Sequence, residues 1–100
     1  MIKVHWTRTA TEDLDGIFQY ICKDSEYYAL NIIENIFSAI ENLVVFPKLG
    51  RSVPEVHDLT IREIIVQNYR IIYQINYDNL TLLTIVHVKQ NLISSLVSEK

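Results

Sequence analysis

Apolar positions along this chain change period twice. Ile2, Val4 and Trp6 alternate with Lys3 and His5, and this period of two predicts a half-buried strand over 1–6. From Ala10 the period lengthens. Ala10, Leu14, Ile17, Phe18 and Ile21 fall at helical spacing and predict a helix from Thr9 to about Cys22. Thr9 and Glu12 fit the S/T-x-x-E capping box, in which hydroxyl and carboxylate satisfy orphan amides at a helix start. Asp24-Ser25 supplies the next cap. Ala29, Ile32, Ile33, Ile36, Phe37, Ile40, Leu43 and Val44 then predict a second helix from Ser25 to about Val45. Phe46-Pro47 ends it, because proline disfavours helix in the residue before it. So short a connection makes the two helices an antiparallel hairpin.

Beyond Pro47 the period returns to two. Lys48 to Leu59 contains Gly50 and Pro54 and reads as a loop. Three strands follow, near Thr60–Val66, Tyr69–Tyr77 and Leu80–Lys89. Their connectors, Gln67-Asn68 and Asp78-Asn79, are short, and Asn and Asp tolerate the left-handed backbone of tight hairpins. Asn91–Lys100 is a tail without a strong period. The expected fold is α+β, in the order β-α-α-β-β-β. A helical hairpin packs on one face of an antiparallel sheet, in one domain over 1–100.

Counting back from an Asp78-Asn79 turn sets a register. Tyr77 then faces Leu80, Ile75 faces Leu82, Tyr73 faces Thr84 and Arg70 faces His87. Counting across Gln67-Asn68 puts Arg62 opposite Tyr73, on the other face. Arg70 and His87 would then be neighbours, with Arg51, Arg62 or Lys89 converging on them as an anion or phosphate site. Such a set, with Tyr73, suits metal-free RNA cleavage, in which a base activates the 2′-hydroxyl and arginine stabilises the phosphorane. The structural alternative pairs Arg70 with Glu63 or Glu55 and leaves His87 at a strand end.

The same register makes both sheet faces apolar. Ile61, Ile65, Ile72, Leu83 and Ile85 point one way, and Ile64, Val66, Ile71, Ile75, Leu82 and Val86 the other. Two helices cover one face only. The second calls for a partner, a homodimer, or the tail folding back.

Composition narrows the classes. At 49% hydrophobic and 21% charged the chain can bury a core. Its lone cysteine, Cys22, excludes an internal disulfide framework. His5, His57 and His87 lack metal-ligand spacing, so neither metal nor cofactor is expected. No signal-peptide core or membrane-length apolar run is visible, which points to the cytoplasm and away from a membrane. The net charge of −3 speaks against a simple nucleic-acid binder. That charge is uneven. Glu12, Asp13, Asp15, Asp24, Glu26, Glu34 and Glu41 stand against Lys23 alone between Thr9 and Val45, and the bases gather later.

An ordered set of short motifs spans nearly the whole chain: Val4-His5-Trp6-Thr7 with Ala10 and Asp13-Leu14, Ile17-Phe18-Gln19-Tyr20-Ile21, Asp24-Ser25 with Ala29, and Phe46-Pro47. Gly50-Arg51 with Val53-Pro54-Glu55, Ile61-Arg62-Glu63, Tyr69-Arg70-Ile71-Ile72-Tyr73 and His87 complete it. The set resembles the ParE branch of the RelE/ParE superfamily, the toxins of type II toxin–antitoxin pairs. The resemblance implies the helical-hairpin-plus-sheet fold of that superfamily. It also implies a cognate antitoxin, here an acidic segment covering the open sheet face and the basic points. It further implies one of two targets. ParE-like members inhibit DNA gyrase, while RelE-like members cut mRNA on the ribosome. A third class is an inactive relative that only binds its antitoxin. Arg51, Arg62, Arg70, Tyr73 and His87 match positions that are commonly basic or polar in the family. After His87 this chain has Val88-Lys89-Gln90, where many relatives carry arginines. That departure and the net acidity favour the gyrase reading over the ribosomal one.

Overall fold

The computed structural model describes residues 1–90 and Leu92. Its elements are β1 (Lys3–Trp6), α1 (Arg8–Cys22), α2 (Glu26–Val45), β2 (Arg51–Ser52), β3 (Ile61–Val66), β4 (Tyr69–Asn76) and β5 (Asn79–His87). One sheet holds the strands in the order β1-β5-β4-β3-β2. The helical hairpin on a mostly antiparallel sheet is the expected α+β arrangement. Two details differ from the expectation. β1 lies parallel to β5, and the loop after Pro47 contributes the two-residue strand β2 on the opposite edge. The helical hairpin therefore carries the chain from one sheet edge to the other.

Helix α1 begins earlier than the expected capping box. Thr7 is the N-cap, in extended backbone at the end of β1, and its hydroxyl accepts from the Ala10 amide at 3.0 Å. Glu12 instead meets Arg8 on the exposed surface at 3.2 Å. Ser25 caps α2 as expected, accepting from the Tyr28 amide at 3.1 Å, and Glu26 adds a carboxylate to the positive helix end. The apolar stripes of both helices close over Ile71, Tyr73, Leu80, Leu82 and Ile85 of the sheet. Ala10 and Ala29 are fully buried there, where small side chains let the elements approach closely.

The β4–β5 register departs from the expected one in two steps. Asn76 pairs with Asn79 and Ile75 with Leu80, so the turn is Tyr77-Asp78, with Tyr77 taking the left-handed φ of 56°. This moves each pair by two residues and keeps every side chain on its expected face. A bulge then intervenes: Tyr73 pairs with Leu82 but Ile72 with Thr84, leaving Leu83 unmatched. One extra residue exchanges the faces beyond it. Ile85 therefore points toward the helices, and Val86 toward the other side with Ile72, the reverse of the periodic reading. Side chains of the first helical turns fix the bulge. The Thr7 hydroxyl donates to the Leu83 carbonyl at 2.9 Å, and Asp13 accepts from the Ile85 amide at 3.0 Å and the Thr84 hydroxyl at 2.5 Å.

The second sheet face is not open either. Val53, Ile72, Val86 and Leu92 form their own buried cluster, with Val56, Ile61 and Leu83 against it. The loop after β2 covers this apolar surface together with Leu92 of the tail, which is the fold-back among the three expected alternatives. The rest of the expected tail lies outside the described residues.

Candidate functional site

The basic residues singled out from sequence fall into three places. Arg70, on β4, is buried to 8% exposure on the second sheet face. A bare guanidinium there would be costly, and the chain meets it with carboxylates. Its two terminal nitrogens donate to the two Glu55 oxygens, each at 2.8 Å, in a fork-to-fork pair. Its Nε donates to Glu63 Oε1 at 2.7 Å, and the other Glu63 oxygen accepts from Arg51 Nε at 2.7 Å. Arg51 and Arg70 thus do converge, but on a fully buried glutamate side chain. The Arg70 guanidinium holds the Glu55 carboxyl at about 2, far below its usual 4.5. In return the Glu55 hydrogen bonds, and then Glu63, hold the Arg70 proton more tightly than usual.

Arg62 and Tyr73 are cross-strand partners, as the count across Gln67-Asn68 required. They face the opposite way from Arg70, and both secure the chain around Gly50. The Tyr73 phenol donates to the Pro47 carbonyl at 2.8 Å and accepts from the Gly50 amide at 2.9 Å. Arg62 donates to the Gly50 carbonyl at 2.8 Å. The Tyr73 side chain is fully buried, and burial pushes its phenol pKa upward. Glycine is required at this point. A β-carbon on Gly50 would lie 2.5 Å from the Tyr73 hydroxyl and 2.6 Å from the Glu63 carbonyl.

His87 is in neither group. The bulge pairs Arg70 with Val86 and His87 with Tyr69, so the expected Arg70–His87 juxtaposition does not form; the two lie on opposite faces of the sheet. His87 meets the Tyr69 ring edge-on at 5.5 Å, and its Nδ1 accepts from the Lys89 amide at 3.1 Å. Lys89 itself is exposed. His87 and Tyr69 line a cleft of about 430 Å³ against α1, with Glu12, Gly16 and Tyr20 on the helix side. Burial raises the Tyr69 phenol pKa, and the phenols of Tyr20 and Tyr28 nearby add to the shift.

The single phosphate site expected from sequence is therefore divided into a carboxylate-caged arginine, a tyrosine lock and an open cleft. Sequence reasoning missed the cleft. The one signal available was Gly16, a glycine inside an otherwise regular helical pattern. Among the described residues, no helix is long and apolar enough to cross a membrane.

Comparison with known proteins agrees with this architecture. The profile of a family described as the ParE toxin of type II toxin–antitoxin system, parDE, matches residues 4–92. Toxin ParE3 of Caulobacter vibrioides is 29% identical, over 96% of this chain and 96% of the relative. A putative toxin of Sinorhizobium fredii, Y4kP, is 31% identical over 88% of this chain and 90% of its own length. In fold, the chain is similar to a structure from the chromosomal ParDE system of P. aeruginosa. The TM-score is 0.69 at 22% identity, covering 87% of this chain and 96% of that one. A RelB–RelE antitoxin–toxin complex from Methanococcus jannaschii matches with a TM-score of 0.51 at 22% identity, over 85% of this chain and 91% of that one.

Proposed function

Because the chain belongs to the ParE toxin family of type II toxin–antitoxin systems, we propose that it arrests growth by inhibiting DNA gyrase and is neutralised by a cognate antitoxin. The observation that carries the choice of target is the internal engagement of the residues an RNA-cleaving site would need. Arg70 is held by Glu55 and Glu63, and the Tyr73 hydroxyl makes two bonds inside the fold. His87 lies across the sheet from Arg70. A ribonuclease needs a base, an acid and a charge stabiliser on one phosphate. In this fold the nominated groups point to different surfaces, and two of them are already satisfied. The roles of Arg51, Arg62, Arg70 and Tyr73 on this reading are structural. They hold the loop between α2 and β3 against the sheet.

The antitoxin reading is supported by the company the fold keeps. The two solved structures named above come from toxin–antitoxin systems. The test is to express the chain alone and with a candidate antitoxin, then run plasmid supercoiling beside primer extension on mRNA. Loss of supercoiling without RNA fragments, reversed by the antitoxin, is the expected result. Ribosome-dependent cuts with supercoiling untouched would replace it with messenger cleavage. Growth unaffected by the free chain, with the antitoxin still bound, would replace it with an inactive binding relative.

A further inference from the structure

The cleft beside His87 has features that the fold itself does not explain. Glu12, Gly16 and Tyr20 are spaced by four residues and so share one stripe of α1, facing Tyr69 and His87 across the cleft. Gly16 weakens the middle of an exposed helix relative to alanine. Nothing among the described residues asks for it, since a β-carbon placed there has no neighbour within 4 Å among them. A helix that gives up stability to keep its surface bare is open to close approach from outside. The walls are phenols: Tyr20 is 69% exposed, and the Lys23 ammonium already stands 6.0 Å from its ring centroid. Among the described residues no arginine or lysine lines the cleft, whereas Glu12 and Asp13 do. The helical half around it is acidic in sequence.

We propose that this cleft receives an arginine side chain from the partner segment, laid over Gly16 between Tyr20 and Tyr69, with Glu12 as counter-ion in place of its exposed contact with Arg8. Arginine suits it better than lysine, because a flat guanidinium stacks on phenol faces while its fork meets a carboxylate. The partner's contacting stretch is then basic here, the reverse of the acidic segment expected from sequence. That expectation rested in part on Arg51 and Arg70, which the structure pairs internally through Glu55 and Glu63. The inference rests on the antitoxin reading for the identity of the partner but not for the chemistry of the site.

The test uses the isotopically labelled full chain titrated with acetylated, amidated hexa-arginine, and separately with hexaglutamate. Hexa-arginine should shift the amide signals of Gly16, Tyr20, Tyr69 and His87 saturably. Glu12→Gln should weaken binding about threefold to fivefold, and Tyr20→Ala about threefold to tenfold. Gly16→Leu should abolish the local shifts, and Gly16→Ala, which cannot harm the helix, should weaken them. Asp15→Asn removes the same charge from α1 beside a different groove and should cost less than about twofold. Signals that do not move, an Asp15→Asn loss equal to that of Glu12→Gln, or hexaglutamate binding at the same residues would overturn the proposal. The titration involves neither gyrase nor antitoxin. If the antitoxin rescues growth while hexa-arginine fails to bind, only this inference falls; failure to arrest growth touches only the toxin reading.

Discussion

The surroundings of Arg70 and of His87 differ in who supplies the partner. Around Arg70 the chain answers each charge itself, with Glu55 from a loop, Glu63 from the adjacent strand and Arg51 beyond it. Around His87, among the described residues, phenols and a bare helix stripe face solvent, and the Glu12 carboxylate has only an exposed contact with Arg8. The two glycines repeat the contrast. Gly50 is packed so tightly that a methyl group collides with backbone and phenol, whereas one on Gly16 meets nothing among the described residues. A residue type that looks functional in sequence is thus structural where the fold has completed its contacts. It stays a candidate for recognition where the contacts are left incomplete.

The largest expected effect lies in the completed region. Arg70→Met leaves the buried Glu63 with only the exposed Arg51 arm, and breaking a buried pair in this way costs about 3–5 kcal/mol. Urea unfolding measures it. Adding Glu63→Leu to Arg70→Met should recover much of the loss, since the uncompensated charge is gone. If the double variant is as unstable as the single one, the network is not what holds this region. Gly50→Ala should cost about 1–3 kcal/mol by forcing Tyr73 or the Glu63 backbone to move.

Acid tests the same network without mutation. Glu55 has its pKa lowered to about 2 in the folded chain, from 4.5. A depressed carboxyl contributes stability that is fully present above its unfolded value and is lost as pH falls through the folded one. The Glu55–Arg70 contribution should therefore persist above pH 4.5 and fade between 4.5 and about 2. Glu55→Gln should flatten that part of the stability–pH curve, and an unchanged slope would place the acid sensitivity elsewhere. The smallest effect has the opposite sign and belongs to the open region. Gly16→Ala should stabilise the chain by roughly 0.5–1 kcal/mol, because alanine suits an exposed helix interior. A destabilised Gly16→Ala would mean that α1 packs closely at Gly16 as well, and the contrast between the glycines would fail.

What the sequence determined by itself was local. Apolar periods of two and of 3.6 located both helices and strands β3 to β5, because burial on one face imposes those spacings directly. The Gln67-Asn68 turn fixed the Arg62–Tyr73 pair across a two-residue loop with no bulge after it. The association of Arg70 with Glu63 and Glu55 was visible as one of two readings, since a buried arginine needs carboxylates within reach. The remaining features were decided by contacts between distant segments. The Leu83 bulge is held by Thr7 and Asp13, more than 70 positions away in the chain. Because strand side chains alternate, that single extra residue sent Val86, not His87, to Arg70's side. Nothing local to β5 encodes the bulge, so only the packing of α1 on the sheet could separate Arg70 from His87 and open the cleft.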